Sequence, residues 1–338
     1  MKVSLIVAPL VADEVISGTH QPKIPHIDIA TLPKRDGNVS ISSLIDSYML
    51  SYSGKDQSRS QRMRWWQKKI GHLSLNEVED DNIFFAMEEL AKQNGRYFAG
   101  LDVDGNKIFK SKGKKLSPAT LNRYVANIGA LFTWAIKQRI APKGFIHPCR
   151  GIARKAENNE RIRFLSTSEM PRLLDATKQS SWEKLYLLVL LGLTTGARKG
   201  ELLKLCWSDI DFDKKVAYTG ITKNGDRKAI PLLPNVLAEL NRFISHPNHL
   251  VFCSKKIPNQ KYCFESRWQI ALKVAKIHDF HFHDLRHSCA SYLVQNNATL
   301  VEVGDVLGHR DLRTTRRYAH LGVEHKANLV NRVLGHIA

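Results

Sequence analysis

The chain runs to 338 residues and carries 51 Lys and Arg against 32 Asp and Glu, a formal charge of +19 with histidine counted neutral. At about 100 to 200 residues per domain that length predicts two domains, and 43% hydrophobic with 25% charged residues argues against a mainly disordered chain. The positive surplus, with a pI near 9.7, points to a polyanionic partner, because each neutralised phosphate releases condensed counterions.

The five cysteines, Cys149, Cys206, Cys253, Cys263 and Cys289, are odd in number and contain no C-x-x-C pair. That predicts neither a disulfide framework nor a zinc ribbon and fits a reducing cytoplasm. The longest strongly apolar run, Leu185 to Leu193, falls short of the roughly 18 residues a bilayer span requires, so no membrane segment is expected. Val3 to Ala12 resemble a weak signal-peptide core, but Pro9 interrupts them and no small-x-small site follows.

Residues 1–39 read as an arm or lead-in, rich in Pro, Gly and charge over 13–39. From Ser40 the pattern turns helical, with Leu44, Ile45, Tyr48, Met49 and Tyr52 at three- and four-residue steps. A basic helix follows with Arg59, Arg62, Arg64, Lys68 and Lys69. A third runs from Asp80 to a stop at Gly95, and a fourth opens at Ser117-Pro118 and stripes Leu121, Val125, Ile128, Leu131 and Phe132. These four predict an all-α domain over 40–147. Five lysines between 107 and 115 read as a basic loop, and Asp102-Val-Asp-Gly-Asn106 fails as a calcium loop because its glycine comes too early and Gly113 stands where a bidentate Glu is needed. Arg62, Lys69, Lys112, Lys114, Lys115 and Arg123 are the expected DNA-contacting residues of this domain.

Residues 148–162 read as a linker and 163–338 as the second domain. There, Ser166 and Glu169 form a capping box, Trp182 to Leu193 is apolar on nearly every face, as in a buried helix, and Val216 to Thr222 with Lys228 to Leu232 flank the hairpin signal Asn224-Gly225. The fold class predicted is mainly α with a small β-hairpin sheet, α+β overall.

Four segments of this domain carry chemistry. Thr195-Gly-Ala-Arg198-Lys-Gly-Glu201 places Arg198 at a helix start, where guanidinium and free N–H groups attract an anion. Lys223 beside the hairpin turn is a compact proton donor, with Lys228 nearby on the returning strand. His283-Asp-Leu-Arg286-His287 puts 283, 286 and 287 on one helix face. Metal ligation by His281, His283 and His287 is the rival reading, weakened because Asp284 directly follows the second His of the His-x-His run. Finally, Leu307-Gly308-His309 precedes Tyr318 among four arginines, an environment that predicts a tyrosine outside any apolar core and a cation-favoured phenolate.

Arg, Lys, His-x-x-Arg, His and Tyr in this order, with the tyrosine nine residues after His309, resemble the tyrosine recombinase family, phage-type integrases and Xer-like enzymes included. Leu116-Ser-Pro-Ala-Thr-Leu-Asn-Arg123 is similar to that family's last core-binding helix. The resemblance implies a helical core-binding domain and a mixed catalytic domain forming a C-shaped clamp on double-stranded DNA. It makes Tyr318 the nucleophile, Arg198 and Arg286 the phosphate clamp, His309 a further donor, Lys223 the leaving-group acid and His283 an aid to proton transfer or positioning at the nucleophile. Glu201 is read as holding Arg198. The same resemblance implies no metal or other cofactor, a homotetramer on two DNA sites, and DNA-bending accessory proteins as further partners. A type IB topoisomerase, a regulator without catalysis and a metal-dependent hydrolase are the competing readings. Two departures stand out: Asn297 where a turn glycine is usual, and Gly304 inside a helix, which the sequence does not explain.

Overall fold

The computed structural model describes residues 34–157, 161, 163–221, 227–254, 256–309, 311–322 and 330–334, without the side chains of 107, 221 and 227. The chain divides into two compact units, residues 1–159 and 160–338.

Helix α1 (Ile41–Ser51) begins where the Ser40 hydroxyl accepts the Ser43 N–H, and it buries Ile41, Leu44, Ile45 and Tyr48. α2 (Arg59–Ile70) adds Met63, Trp66 and Ile70, and α3 (Asp80–Ala91) adds Ile83, Met87 and Leu90. α4 (Pro118–Lys137) starts with Ser117 as cap and proline in the first turn, as the sequence predicts, and closes the core with Leu121, Ile128, Leu131 and Phe132. The buried Trp66 indole donates to the Tyr124 carbonyl at 3.0 Å, so this core keeps no unpaired ring N–H there.

The first unit is nevertheless not all-α. α3 ends at Ala91, short of the expected Gly95, and the chain between α3 and α4 is an antiparallel hairpin, β1 (Asn94–Leu101) and β2 (Lys107–Lys115). The lysine run is therefore a strand rather than a loop. Its turn explains the failed calcium motif: the Asp102 carboxylate accepts the N–H groups of Asp104 at 3.0 Å and Asn106 at 2.7 Å, and Gly105 takes the left-handed conformation (φ 80°). Phe98 and Phe109 meet edge-on across the strands, 55% and 51% exposed, so the ribbon projects from the unit with both faces in solvent.

In the second unit, α5 (Glu169–Lys178) is preceded by the expected reciprocal pair, Ser166 N–H to Glu169 Oε2 at 2.9 Å and Glu169 N–H to Ser166 Oγ at 3.1 Å. α6 (Leu185–Thr195) is buried on all sides and forms the centre of the core. One-turn α7 (Lys199–Leu202) leads to a three-stranded antiparallel sheet in the order β3 (Ile210–Asp211), β4 (Val216–Ile221), β5 (Arg227–Pro231). The Asn224-Gly225 turn lies outside the described residues, but the strands flanking it pair with Thr219 opposite Lys228. α8 (Pro234–Asn241), α9 (Glu265–Val274), α10 (Asp284–Gln295) and α11 (Leu300–Leu307) follow, then two 3₁₀ segments, Leu312–Thr314 and Arg316–Gly322. The architecture is mixed α and β with small sheets, the fold class expected. Among the described residues no helix is long and apolar enough to cross a membrane, and no cysteine is joined in a disulfide.

Gly196 ends α6 in the left-handed region (φ 59°), and a Cβ there would stand 2.3 Å from Leu307 Cδ2. Gly196→Ala therefore combines a left-handed penalty with overpacking and should cost about 2–5 kcal/mol. Thermal unfolding checks this, and a melting temperature equal to that of the unsubstituted protein would contradict the packing described.

Candidate active site

The turn at Gly196 delivers Arg198 in an extended conformation just ahead of α7. Glu201 reaches back, its Oε2 accepting the Arg198 amide at 2.9 Å and its Oε1 the guanidinium at 2.8 Å. Burial pushes the Glu201 carboxyl up, but these contacts and the Lys228 charge hold it below its ordinary value. The helix-start argument for Arg198 does not survive: α7 is a single turn and the Arg198 N–H is already taken by Glu201. What Arg198 presents is its half-exposed guanidinium, fixed at one edge by Glu201.

Arg286 and His287 lie in the first turn of α10, with His283 immediately before it. Arg286 is buried and donates through Nη1 to the Gly196 carbonyl at 2.6 Å, which ties α10 to the turn that carries Arg198. Its Nη2 is also buried and has no hydrogen-bond partner among the described residues. Burial, then the Arg198 charge, lowers the Arg286 pKa. Lys228 on β5 is in the same condition: its buried Nζ lacks a partner, and burial with Arg286 and Arg198 drives its pKa down to about 8. Gly308 makes room for it, since a Cβ there would stand 3.0 Å from Lys228 Cε. Lys223 lies outside the described residues.

His309 follows Gly308 and pairs through Nδ1 with the Thr315 hydroxyl at 2.8 Å. When Thr315 donates, the proton sits on Nε2 and the ring is a donor on its other side. Burial, then Arg286, Arg198, Arg317 and Lys228, press its pKa down to about 4, so the imidazole is neutral at pH 7. Gly304 now has a reason: a Cβ on it would lie 3.3 Å from Thr315 Oγ1 and 3.2 Å from Leu312, crowding the group that orients His309. Asn297 adopts φ 69°, the left-handed conformation expected of a glycine substitute.

Tyr318 departs from its sequence reading. It is 2% exposed and packs in an apolar cluster with Cys289, Ala290, Val294, Val303 and Leu307. In its 3₁₀ segment Tyr318 lies three residues after buried Thr315, so both turn inward, while Arg313 and Arg316 face solvent. Burial raises the phenol pKa above its ordinary value, and Arg317 and Arg286 pull it down only in part; the expected cation-favoured phenolate is not the resting form. The phenol oxygen lies 2.6 Å from Nδ1 of His287. His283 meets His287 edge-on, ring centres 5.3 Å apart, and burial, then the charges of Arg286, Arg198 and Arg317, lower its pKa. No group of three His, Cys, Asp or Glu side chains gathers as a metal set among the described residues.

Residues 163–325 match the family model described as Phage integrase family. The integrase of Salmonella phage P22 is 28% identical over 284 residues, covering 78% of this chain and 71% of that protein. The shufflon-specific DNA recombinase of Escherichia coli is 28% identical over 223 residues, 65% of this chain and 56% of that protein. Residues 163–325 thus match a phage integrase family domain, and the chain is similar to integrases and DNA recombinases beyond it. Its fold is that of the Tn1549 transposon integrase in complex with transposon right end DNA (16% identity, TM-score 0.65, 87% of this chain and 99% of that one) and of a lambda integrase dimer bound to a COC′ core site (18% identity, TM-score 0.58, 82% and 97%).

The residues assigned to DNA in the first unit are not equivalent. Arg62 turns inward, 9% exposed, bonded to Asp56 at 3.0 Å and to Asn127 at 3.2 Å, so its charge is spent inside the unit. Lys69 is paired with Glu89 at 2.6 Å. Lys112, Lys114 and Lys115 are exposed on β2, Lys115 also donating to the Lys92 carbonyl, and Arg123 is exposed on α4. Sequence reasoning missed His287 and Thr315. The signal for His287 was present, since it shares a helix face with His283 and Arg286, whereas nothing short of the fold brings the Tyr318 ring to it.

Proposed function

We propose that this recombinase cleaves and rejoins DNA at specific sites through a phosphotyrosyl intermediate, with Tyr318 as nucleophile. Attack on the phosphodiester builds charge on the non-bridging oxygens, and Arg198, Arg286 and His309 are the donors that meet it. The observation that carries this reading is Arg286 Nη2, a buried guanidinium donor without a hydrogen-bond partner among the described residues, whose charge acts with that of Arg198 on Lys228 and His309. A buried unpaired cation is costly, and an anion is its natural complement. The departing 5′ oxygen takes a proton from a lysine of the β4–β5 hairpin, Lys223 by family resemblance. Lys228, near neutrality and buried in the same cluster, supports a lysine acid there. Glu201 orients Arg198, and His283 adds its neutral ring to the nucleophile side.

Because one ester replaces another, bond energy is retained, and the freed hydroxyl reseals the strand with neither metal nor ATP. The enzyme works on double-stranded DNA in the cytoplasm, for a prophage or similar mobile element, as a homotetramer on two sites clamped by both units, with DNA-bending proteins as accessories. Val330, Val333 and Leu334 stand half exposed on a helical turn and suit packing against a neighbouring subunit. The test is incubation of the protein with a nicked suicide substrate: a denaturant-resistant protein–DNA band supports the reading, and its absence with bound DNA favours a non-catalytic regulator.

The β1–β2 ribbon supplies phosphate contacts through Lys112, Lys114 and Lys115. Replacing all three with alanine should reduce the slope of log affinity against log salt by about 2–3, at about 0.9 per phosphate contact. A filter-binding salt series checks this, and an unchanged slope would remove the ribbon from the DNA surface.

A further inference from the structure

The buried phenol poses a chemical problem that the phosphate clamp does not solve. Oη must lose its proton as it bonds to phosphorus, yet burial holds Tyr318 in its protonated form. The lysines, arginines and His309 serve the phosphate and the leaving oxygen. The one hydrogen-bond partner the described structure gives the Tyr318 hydroxyl is Nδ1 of His287, at 2.6 Å, a short contact between two buried side chains.

We propose that His287 takes the proton of Tyr318 during attack and holds the phenol in the orientation from which it attacks. The proposal rests on Tyr318 being the nucleophile. In the forward step the Oη–H bond breaks and an Nδ1–H bond forms while Oη bonds to phosphorus. The P–O5′ bond breaks in the same displacement, and O5′ takes its proton from the hairpin lysine. In the resealing step the 5′ hydroxyl gives its proton back to the hairpin lysine as O5′ bonds to phosphorus, the P–Oη bond breaks, and the imidazolium of His287 returns its proton to Oη.

His287 is suited to this by its surroundings. Burial, then His283, Arg317 and Arg286, press its pKa down to about 4 against the pull of Asp284, so its ring is neutral, and in the tautomer protonated on Nε2 its Nδ1 accepts the phenol O–H at 2.6 Å. Tyr318 and Arg317 face it from the 3₁₀ segment, and His283, Asp284 and Arg286 from its own helix and the residue before it. An imidazole this weak in the free protein takes the proton only in concert with P–O bond formation, when Oη is losing its own basicity. The incoming phosphodiester also offsets the nearby guanidinium charge and raises the basicity of Nδ1.

The experiment compares His287→Asn with unsubstituted full-length protein in single-turnover cleavage of two substrates, one with an ordinary scissile phosphate and one with a 5′-bridging phosphorothiolate. Asparagine keeps an acceptor near the Nδ1 position but cannot carry the proton, and the thiolate departs without an acid. The expected result is a loss of about 100-fold or more with both substrates. A rate within threefold of unsubstituted protein, or a loss repaired by the thiolate, would overturn the proposal, the latter by moving His287 to the leaving-group side. Histidine ¹⁵N resonances of the unsubstituted protein and of Tyr318→Phe give a second reading that does not depend on how the His287 variant folds. His287 Nδ1 should be an unprotonated acceptor whose resonance moves when the hydroxyl is removed, and an unmoved resonance overturns the proposal. If the unsubstituted protein forms no adduct at all, the fault lies with the reading of the enzyme and not with His287.

Discussion

Tyr318→Phe is expected to eliminate the covalent protein–DNA adduct, lowering cleavage by at least about 1,000-fold, while the protein still folds and binds DNA. The expectation separates two roles of one side chain. The ring fills the cluster with Val294, Val303 and Leu307, and phenylalanine keeps that packing. The hydroxyl alone is removed, together with its hydrogen bond to His287, a change of about 0.5–1.5 kcal/mol in stability. Denaturing gel electrophoresis reads the adduct and a thermal melt reads the fold. An adduct undiminished in the variant places the nucleophile elsewhere.

Arg286→Ala should lower single-turnover cleavage by about 100- to 1,000-fold, the cost of removing one donor from a preorganised charge-stabilising site. The accompanying change in stability should be small. The substitution leaves the Gly196 carbonyl without its guanidinium donor, which destabilises, but it also removes a buried cation that faces Arg198 and Lys228 with one nitrogen unpaired, which stabilises. Arg286→Lys should rescue little, because an ammonium is a point charge without the planar fork that reaches both a carbonyl and an oxyanion. Cleavage by Arg286→Ala at the unsubstituted rate would remove Arg286 from the phosphate site.

The helical unit was legible because its helices carry one apolar stripe each. Leu44, Ile45 and Tyr48, or Ile128, Leu131 and Phe132, recur at helical spacing and are all buried. The β1–β2 ribbon was not, because strands are recognised by one buried face and this hairpin has none; with solvent on both sides, its lysines and aromatics follow no two-residue alternation of burial. Its turn glycine, Gly105, and the end of α3 at Ala91 carried the information, but Asp102-Val-Asp-Gly invited a metal-loop reading first. In the second unit, Arg198 and Glu201 could be found from spacing and residue type, since their contact is made within one segment, whereas the Arg286–Gly196 bond joins residues 90 apart in the chain and needs the fold.

Tyr318 shows the limit of counting charges. Four arginines within eight residues suggested an exposed, acidified phenol, whereas the three-residue period of a 3₁₀ segment sorts Thr315 and Tyr318 inward and leaves Arg313 and Arg316 outside. Burial then outweighs the guanidiniums and keeps the phenol protonated. Arg62 shows the converse: a basic helix predicts a DNA contact, but Asp56 and Asn127 draw that one side chain into the unit.

A bond between the Tyr318 phenol oxygen and DNA phosphorus is the decisive product. The most direct measurement is to trap the adduct on a nicked suicide substrate, digest it with protease and nuclease, and sequence the nucleotide-bearing peptide by tandem mass spectrometry. A 3′-linked phosphonucleotide on Tyr318 is the result this account predicts; the nucleotide on any other residue would contradict it.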